Sequence, residues 1–315
     1  MHRRTTIHVA AVFLLGFTFG RALVAAEPPI IAAVFAPDGK TVVVGSQAGI
    51  EVRSWPKLAP LRKIKTGLSH VHHLAFSPRG KTLAAAGGAP REGGEVELHD
   101  WASMSSPILA RVHDDLAYQL AWSPSGAHVA TAGADHQVHL LDKSGKRVQT
   151  CAGHSRGVLT VAWLPDGERL LSAGLDQSLR LWDAKSGALL RTLDNHTAEV
   201  RDLAVRPGDH PIPMIASASA DRTLRLWQPT IGRLVRFARL PAEPLAIDWT
   251  PDGSRLLAAC TDGRLRVIDP DSVEMVHDLP ALDGWAYTVA ASPDGEFALI
   301  AGSLGQIKAV SLAAP

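Results

Sequence analysis

An all-β ring of seven repeated units is what this sequence predicts, and three observations carry it. A turn phrase recurs seven times, short apolar runs of strand length flank each copy, and no helical periodicity appears after residue 26. The phrases are APDG (36–39), SPRG (77–80), SPSG (123–126), LPDG (164–167), RPGD (206–209), TPDG (250–253) and SPDG (292–295). Their prolines, Pro37, Pro78, Pro124, Pro165, Pro207, Pro251 and Pro293, are spaced 41, 46, 41, 42, 44 and 42 residues apart. Proline presets φ for the first central position of a tight turn, and glycine supplies the positive φ that ends it.

The strands follow from the flanks. VLTVAWL precedes Pro165, RLLSAGL follows Gly167, then come SLRLWD and ALLRTL. Up to four short antiparallel strands per unit of about 40 residues is the pattern of a β-propeller blade. Seven units fill nearly all of residues 27–315, so a single domain is expected there. Two residues before the turn proline stand Phe35, Phe76, Trp122, Trp163, Val205, Trp249 and Ala291. An apolar side chain at one repeat position reads as packing between blades. The second unit carries an insertion, GGAPREGGE, which predicts a longer, exposed turn.

Residues 1–26 read differently. MHRRTT is a basic start, IHVAAVFLLGFTFG an apolar run, and VAA before Glu27 offers small residues for cleavage after Ala26. That order predicts a signal peptide and an exported protein, periplasmic or extracellular. The apolar run falls short of the roughly 20 residues of a membrane span. An uncleaved anchor is the alternative, and Arg21 near the cut speaks for it. Losing Arg3, Arg4 and Arg21 leaves 29 of the 32 Lys and Arg residues against 31 Asp and Glu, a net charge of −2. Such a balance gives no electrostatic reason to expect nucleic-acid or anionic-membrane binding. No membrane span is expected after cleavage, and a monomer is expected. Cys151 and Cys260 are too few for a disulfide scaffold and are expected as free, buried thiols.

The stretch GHSRGVLTVAWLPDGERLLSAGLDQSLRLWD (153–183) resembles a WD repeat, and the likeness extends over about residues 30–312. It implies a seven-bladed WD-type β-propeller, which together with the leader is expected to be bacterial and exported. It also implies a hydrogen-bonded set within a blade: His154, Ser172, Asp176 and Trp182 in the fourth unit, His196, Ser217, Asp221 and Trp227 in the fifth. A buried carboxylate needs donors, which imidazole, hydroxyl and indole supply, so the set reads as structural. The third unit keeps His113, Thr131 and Asp135 but has Leu141 for Trp. The sixth keeps Asp262 with Ala258 and Ile268; Leu304 and Ala48 replace Asp in the seventh and first. In such rings an N-terminal strand completes the last blade, and counting places it at Phe19–Leu23, inside the leader. Cleavage would leave a last blade of three strands with an open edge.

Propellers act through the loops at one end and the mouth of the channel. Six residues before each turn proline stand Ile31, His72, Tyr118, Leu159, Arg201, Leu245 and Tyr287, which include both tyrosines of the chain. Trp285, close by, has no structural slot in the repeat. His72, Tyr118, Arg201, Trp285 and Tyr287 are therefore the candidate partner-binding rim, since aromatic and Arg side chains anchor protein interfaces. HVHH (70–73) offers weaker metal candidates, His70 and His72, with His113 from the next blade. No nucleophile elbow, phosphate loop or paired-carboxylate phrase occurs. The expectation is a non-catalytic scaffold for protein partners without a cofactor; the alternative is a metal-dependent or small-ligand enzyme at the channel mouth.

Overall fold

The computed structural model describes residues 27–313, so the leader expected over residues 1–26 lies outside the described residues. Seven antiparallel sheets follow one another along the chain, six of four strands and the last of three. The blades span residues 30–64, 71–113, 117–152, 158–193, 200–239, 244–280 and 286–311. Within each, the strands run outward in sequence order, and the innermost strand packs beside the innermost strands of both neighbours. Among the described residues helix is confined to one 3-10 turn, Ser303–Gly305. No helix among the described residues is long and apolar enough to cross a membrane.

The turn phrases sit where each innermost strand passes to the second. In the fourth blade Gly167 N–H donates to Leu164 C=O at 3.0 Å and Leu164 N–H to Arg169 C=O at 2.9 Å. Gly167 has φ 69°, the left-handed value that a side chain would strain. The second strands, sandwiched by a blade on either side, are buried along nearly their whole length. Their sequences are accordingly continuous apolar or small-residue runs rather than alternating ones.

The pre-turn aromatics do more than pack. Trp122, Trp163 and Trp249 donate their indole N–H groups to the carbonyls of Ala75, Ala121 and Ala204 in the preceding blade, at 3.1–3.2 Å. The insertion in the second blade has a different outcome from the one expected. Its extra residues pair, lengthening two strands to Thr82–Ala89 and Gly93–Asp100, and only the short tip at residues 90–92 is exposed. Pairing satisfies the backbone groups that a longer loop would have left to water.

Blade 7 has three strands, and its third, Ile307–Ser311, has no outer partner among the described residues. Among the described residues the ring closes by packing. Val42 and Phe35 of blade 1 meet Ala290, Leu299 and Ile307 of blade 7. Trp55 stands edge-on to Phe35 at 4.8 Å and to Phe297 at 6.1 Å, spanning the seam.

Candidate functional site

The hydrogen-bonded set is present in blades 4 and 5. Trp182 Nε1–H donates to Ser172 Oγ at 2.7 Å, Ser172 meets His154 Nε2 at 2.7 Å, and His154 Nδ1 meets Asp176 at 2.9 Å. The network assigns the protons: Ser172 donates to an unprotonated Nε2, and Nδ1–H donates to the carboxylate. Blade 5 repeats it with Trp227, Ser217, His196 and Asp221 at 2.7–2.8 Å. Burial would raise the Asp221 carboxyl, but hydrogen bonds from Thr223 and His196 outweigh it and hold the group down at about 2. Asp176 is held well below the usual range in the same way, His154 being its main partner against burial. The connectivity is that of a Ser-His-Asp triad, yet Ser172 and Ser217 are fully buried and each hydroxyl already serves an indole. No substrate atom reaches them, and the set is a latch.

Three other blades build the latch from different residues. In blade 3, His113 bonds Asp135 and Thr131 at 2.9 and 2.8 Å, and His139 lies 3.6 Å from Asp135. His139 occupies the cross-strand position that Arg180, Arg225 and Arg266 hold in blades 4, 5 and 6. In blade 6 the buried Arg266 binds Asp262 through both terminal nitrogens, at 3.0 and 2.6 Å. In blade 2 Glu97 stands at the same position, and its carboxylate accepts from Thr66 Oγ1 and Gly67 N–H at 2.7 Å and pairs with His99 at 3.0 Å. His99 occupies the Trp position. Sequence reasoning missed this substitute; the signal was the paired departure, Glu for Arg and His for Trp, in VELHD.

The seven rim positions share one geometric cause. In every blade the pairing of the innermost strand with the second slips by one residue at its start, and the skipped residue is Ile31, His72, Tyr118, Leu159, Arg201, Leu245 or Tyr287. A β-bulge re-aims the side chain it carries. All seven line one channel cavity of about 570 Å³. His72 and Tyr118 lie 6.2 Å apart, with His70 stacked 6.3 Å from His72. Across the ring Trp285, half-exposed, stands edge-on to Tyr287 at 5.9 Å. Arg201, between these two groups in chain order, is paired with Glu199 at 2.9 Å. The rim therefore presents two aromatic groups rather than one continuous patch.

Below the rim the channel wall is polar and tied together. Asp202 accepts from Gln119 Nε2 and from the backbone N–H groups of Leu203 and Ile247, at 2.8–2.9 Å. Asp248 accepts from Trp249 and Ala291 N–H at 2.8 Å. Burial pushes both carboxyls up to about 6. His73 lines the same cavity with Nδ1 unpartnered, and burial pulls its pKa down to about 4, so it is neutral.

The metal candidates are not brought together. His72 Nδ1 is 2.9 Å from the Ala117 carbonyl, and His113 is engaged in the blade 3 latch. A different group, His113, Asp135 and His139, places three ligand atoms within 4.8 Å of one another among the described residues. Each imidazole there is already hydrogen-bonded, to Asp135, Thr131 or Thr150. A cation would have to dismantle the latch to bind.

Comparison with known proteins agrees with the repeats. The sequence model of WD40 (WD domain, G-beta repeat) matches residues 108–142, 145–183, 187–228 and 241–269. The chain is also similar to a protein of Saccharomyces cerevisiae, COMPASS component SWD3, with 27% identity over 138 residues. That alignment covers 44% of this chain and 42% of the yeast protein, less than half of either.

Proposed function

This chain carries WD40 repeats in a seven-bladed β-propeller, and we propose that it works as a non-catalytic platform for protein partners. One observation carries the reading: seven bulges turn seven side chains onto a single channel mouth, and two aromatic groups stand there on rigid strands. Rings held by a packed scaffold lose little freedom on binding, so an aromatic rim can anchor a partner at low entropic cost. Similarity to a component of an assembly supports this reading. The latches, which carry the Ser, His and Asp groups of hydrolytic chemistry, are sealed from substrate, which favours the platform over an enzyme.

The reading includes export, on the strength of the leader sequence, with partners met outside the cytoplasm. Edman sequencing of protein recovered from the cell envelope, with a mature start at Glu27, would support it. The platform is tested with the Tyr118→Ala, Tyr287→Ala double variant immobilised beside the wild type. A partner retained by the wild type and lost by the variant, at an unchanged melting temperature, is the expected result. Equal retention by both would remove these tyrosines from the interface.

A further inference from the structure

The outermost strands carry a second recurring bulge. In blades 1, 3, 4, 5 and 6 the pairing of the third strand with the outermost one skips Leu61, Val148, Leu190, Val235 and Val276. Leu61, Val148, Leu190 and Val276 are 42–56% exposed, whereas Val235 packs against the core between blades 5 and 6. Between blades 4 and 5 Leu190 joins something larger.

The outermost strand of blade 5, Arg233–Arg239, reads RLVRFAR, with Arg233, Arg236, Phe237 and Arg239 all exposed. From Arg222 to Ala242 the chain has five arginines and no Asp or Glu. Beside that strand lies Ile231, and across the gap between the blades lie Leu189 and Leu190; together with Phe237, these are 44–51% exposed. Arg191 of blade 4 reaches over to Gly232, where an added Cβ would come 2.7 Å from its guanidinium. Asp271 approaches Arg236 at 3.9 Å; among the described residues no carboxylate pairs with Arg191, Arg233 or Arg239. A near-neutral chain thus concentrates unpaired positive charge and large apolar side chains on one face of its circumference.

We propose that this outer face of blades 4 and 5 docks on an anionic lipid surface. Arginine gives bidentate hydrogen bonds to phosphate, and interleaved leucine, isoleucine and phenylalanine enter the boundary between headgroups and acyl chains. A nucleic acid would also take the arginines, but it would leave four large apolar side chains against its sugar–phosphate backbone. The alternation of charge and aliphatic bulk therefore favours lipid. The face lies on the circumference, away from the channel mouth, so the rim stays open while the protein is docked.

The test is co-sedimentation of the full chain with vesicles of phosphatidylcholine alone and of phosphatidylcholine mixed with phosphatidylglycerol. Binding to the mixed vesicles, absent from the neutral ones and weakened by salt, is expected. The Arg233→Gln, Arg236→Gln, Arg239→Gln variant should partition roughly a hundredfold less, about fivefold for each arginine near an anionic surface. The Leu190→Ser, Phe237→Ser variant should lose the part of the binding that survives high salt. Residues 1–26 are common to every variant, so the differences report the face alone, and matched melting curves report folding. Unchanged binding of the triple variant, or equal binding to neutral vesicles, overturns the proposal. So does tight binding to duplex DNA that the Leu190 and Phe237 changes leave intact.

Discussion

Gln119 of blade 3 reaches Asp202 of blade 5, Nε2 to Oδ1, at 2.8 Å, passing over the blade between them. Thr160 of that middle blade accepts from Leu203 N–H at 3.1 Å, and Gln119 Oε1 accepts from Val161 N–H at 2.7 Å. One carboxylate is thereby the meeting point of blades 3 to 6. Asp202→Ala would strand Ile247 N–H and the Gln119 amide in a buried wall. A loss of about 2–5 kcal/mol is expected, from two or so buried donors left without partners. Urea denaturation of the variant against wild type measures it, and a loss below about 1 kcal/mol would mean that water enters and takes over the bonds.

Asp202 and Asp248 also set a pH dependence. Their folded pKa, about 6, lies above the ordinary aspartate value of 3.8, so between these limits the folded chain holds more protons than the unfolded one. Stability from this source is complete below about pH 4 and is lost as pH rises through 6. Asp176 and Asp221 act in the opposite sense: their pKa values are lowered, so their stabilisation is present above about pH 4 and lost below it. The buried histidines oppose the decline that Asp202 and Asp248 impose between about pH 4 and 6: His73, pulled down to about 4, and His72, His113 and His196, also lowered, add stability above about pH 6.5 that is lost as pH falls. Asp248→Asn should flatten that decline in chemical denaturation run across the range; an unchanged slope would remove Asp248 as its source.

The latches should be costly to break. Ser172→Ala leaves Trp182 Nε1–H and His154 Nε2 without a partner in a fully buried place. A loss of about 2–4 kcal/mol is expected. Ser186→Ala, at an exposed turn where the hydroxyl donates to Asp183 and accepts from Ala188 N–H at 3.3 Å, should stay within about 0.5 kcal/mol of wild type. Parallel thermal melts of the two variants compare them directly.

Both cysteines should be silent toward alkylation. Burial pushes the Cys151 thiol up to about 12 and Cys260 up to about 11, and both side chains are buried. Iodoacetamide at pH 8 should label neither in the folded ring and both in denaturant, read by intact mass. Rapid labelling of Cys151 under native conditions would show that the third and outermost strands of blade 3 separate.

Much of this was legible in the sequence because it repeats. Seven prolines at near-constant spacing define the blades, and the recurrence of SAGLDQSLRLWD as SASADRTLRLWQ displays two latches at full length. The rim positions were also countable, although their bulges were not: a bulge is a relation between two strands and leaves no residue type of its own. Glu97 with His99, and Gln119 with Asp202, escaped for a related reason. Each pair departs from the repeat in a complementary way, and complementarity shows only when cross-strand and cross-blade neighbours are known. The basic face of blade 5 was hidden by averaging, since net charge sums over a surface that the fold divides.

Blade 1 stands apart from the other six. Side-chain hydrogen bonds tie every neighbouring pair of blades from 2 round to 7, through Trp122, Trp163, Thr160, Asp202 and Asp248. Across blade 1's two borders the described contacts are apolar, apart from the Arg62 guanidinium over the Trp101 ring at 5.2 Å: Trp55, Val42 and Ile307 on one side, Val52, Leu74 and Leu83 on the other. Apolar contact weakens on cooling, whereas hydrogen bonds do not share that dependence. The molecule is in this sense a horseshoe of six bolted segments with a seventh glued between its tips, and the glue is the cold-sensitive part. Near freezing, the amides of Thr41–Ser46 should exchange ahead of those of Arg169–Gly174, the equivalent strand in the bolted arc.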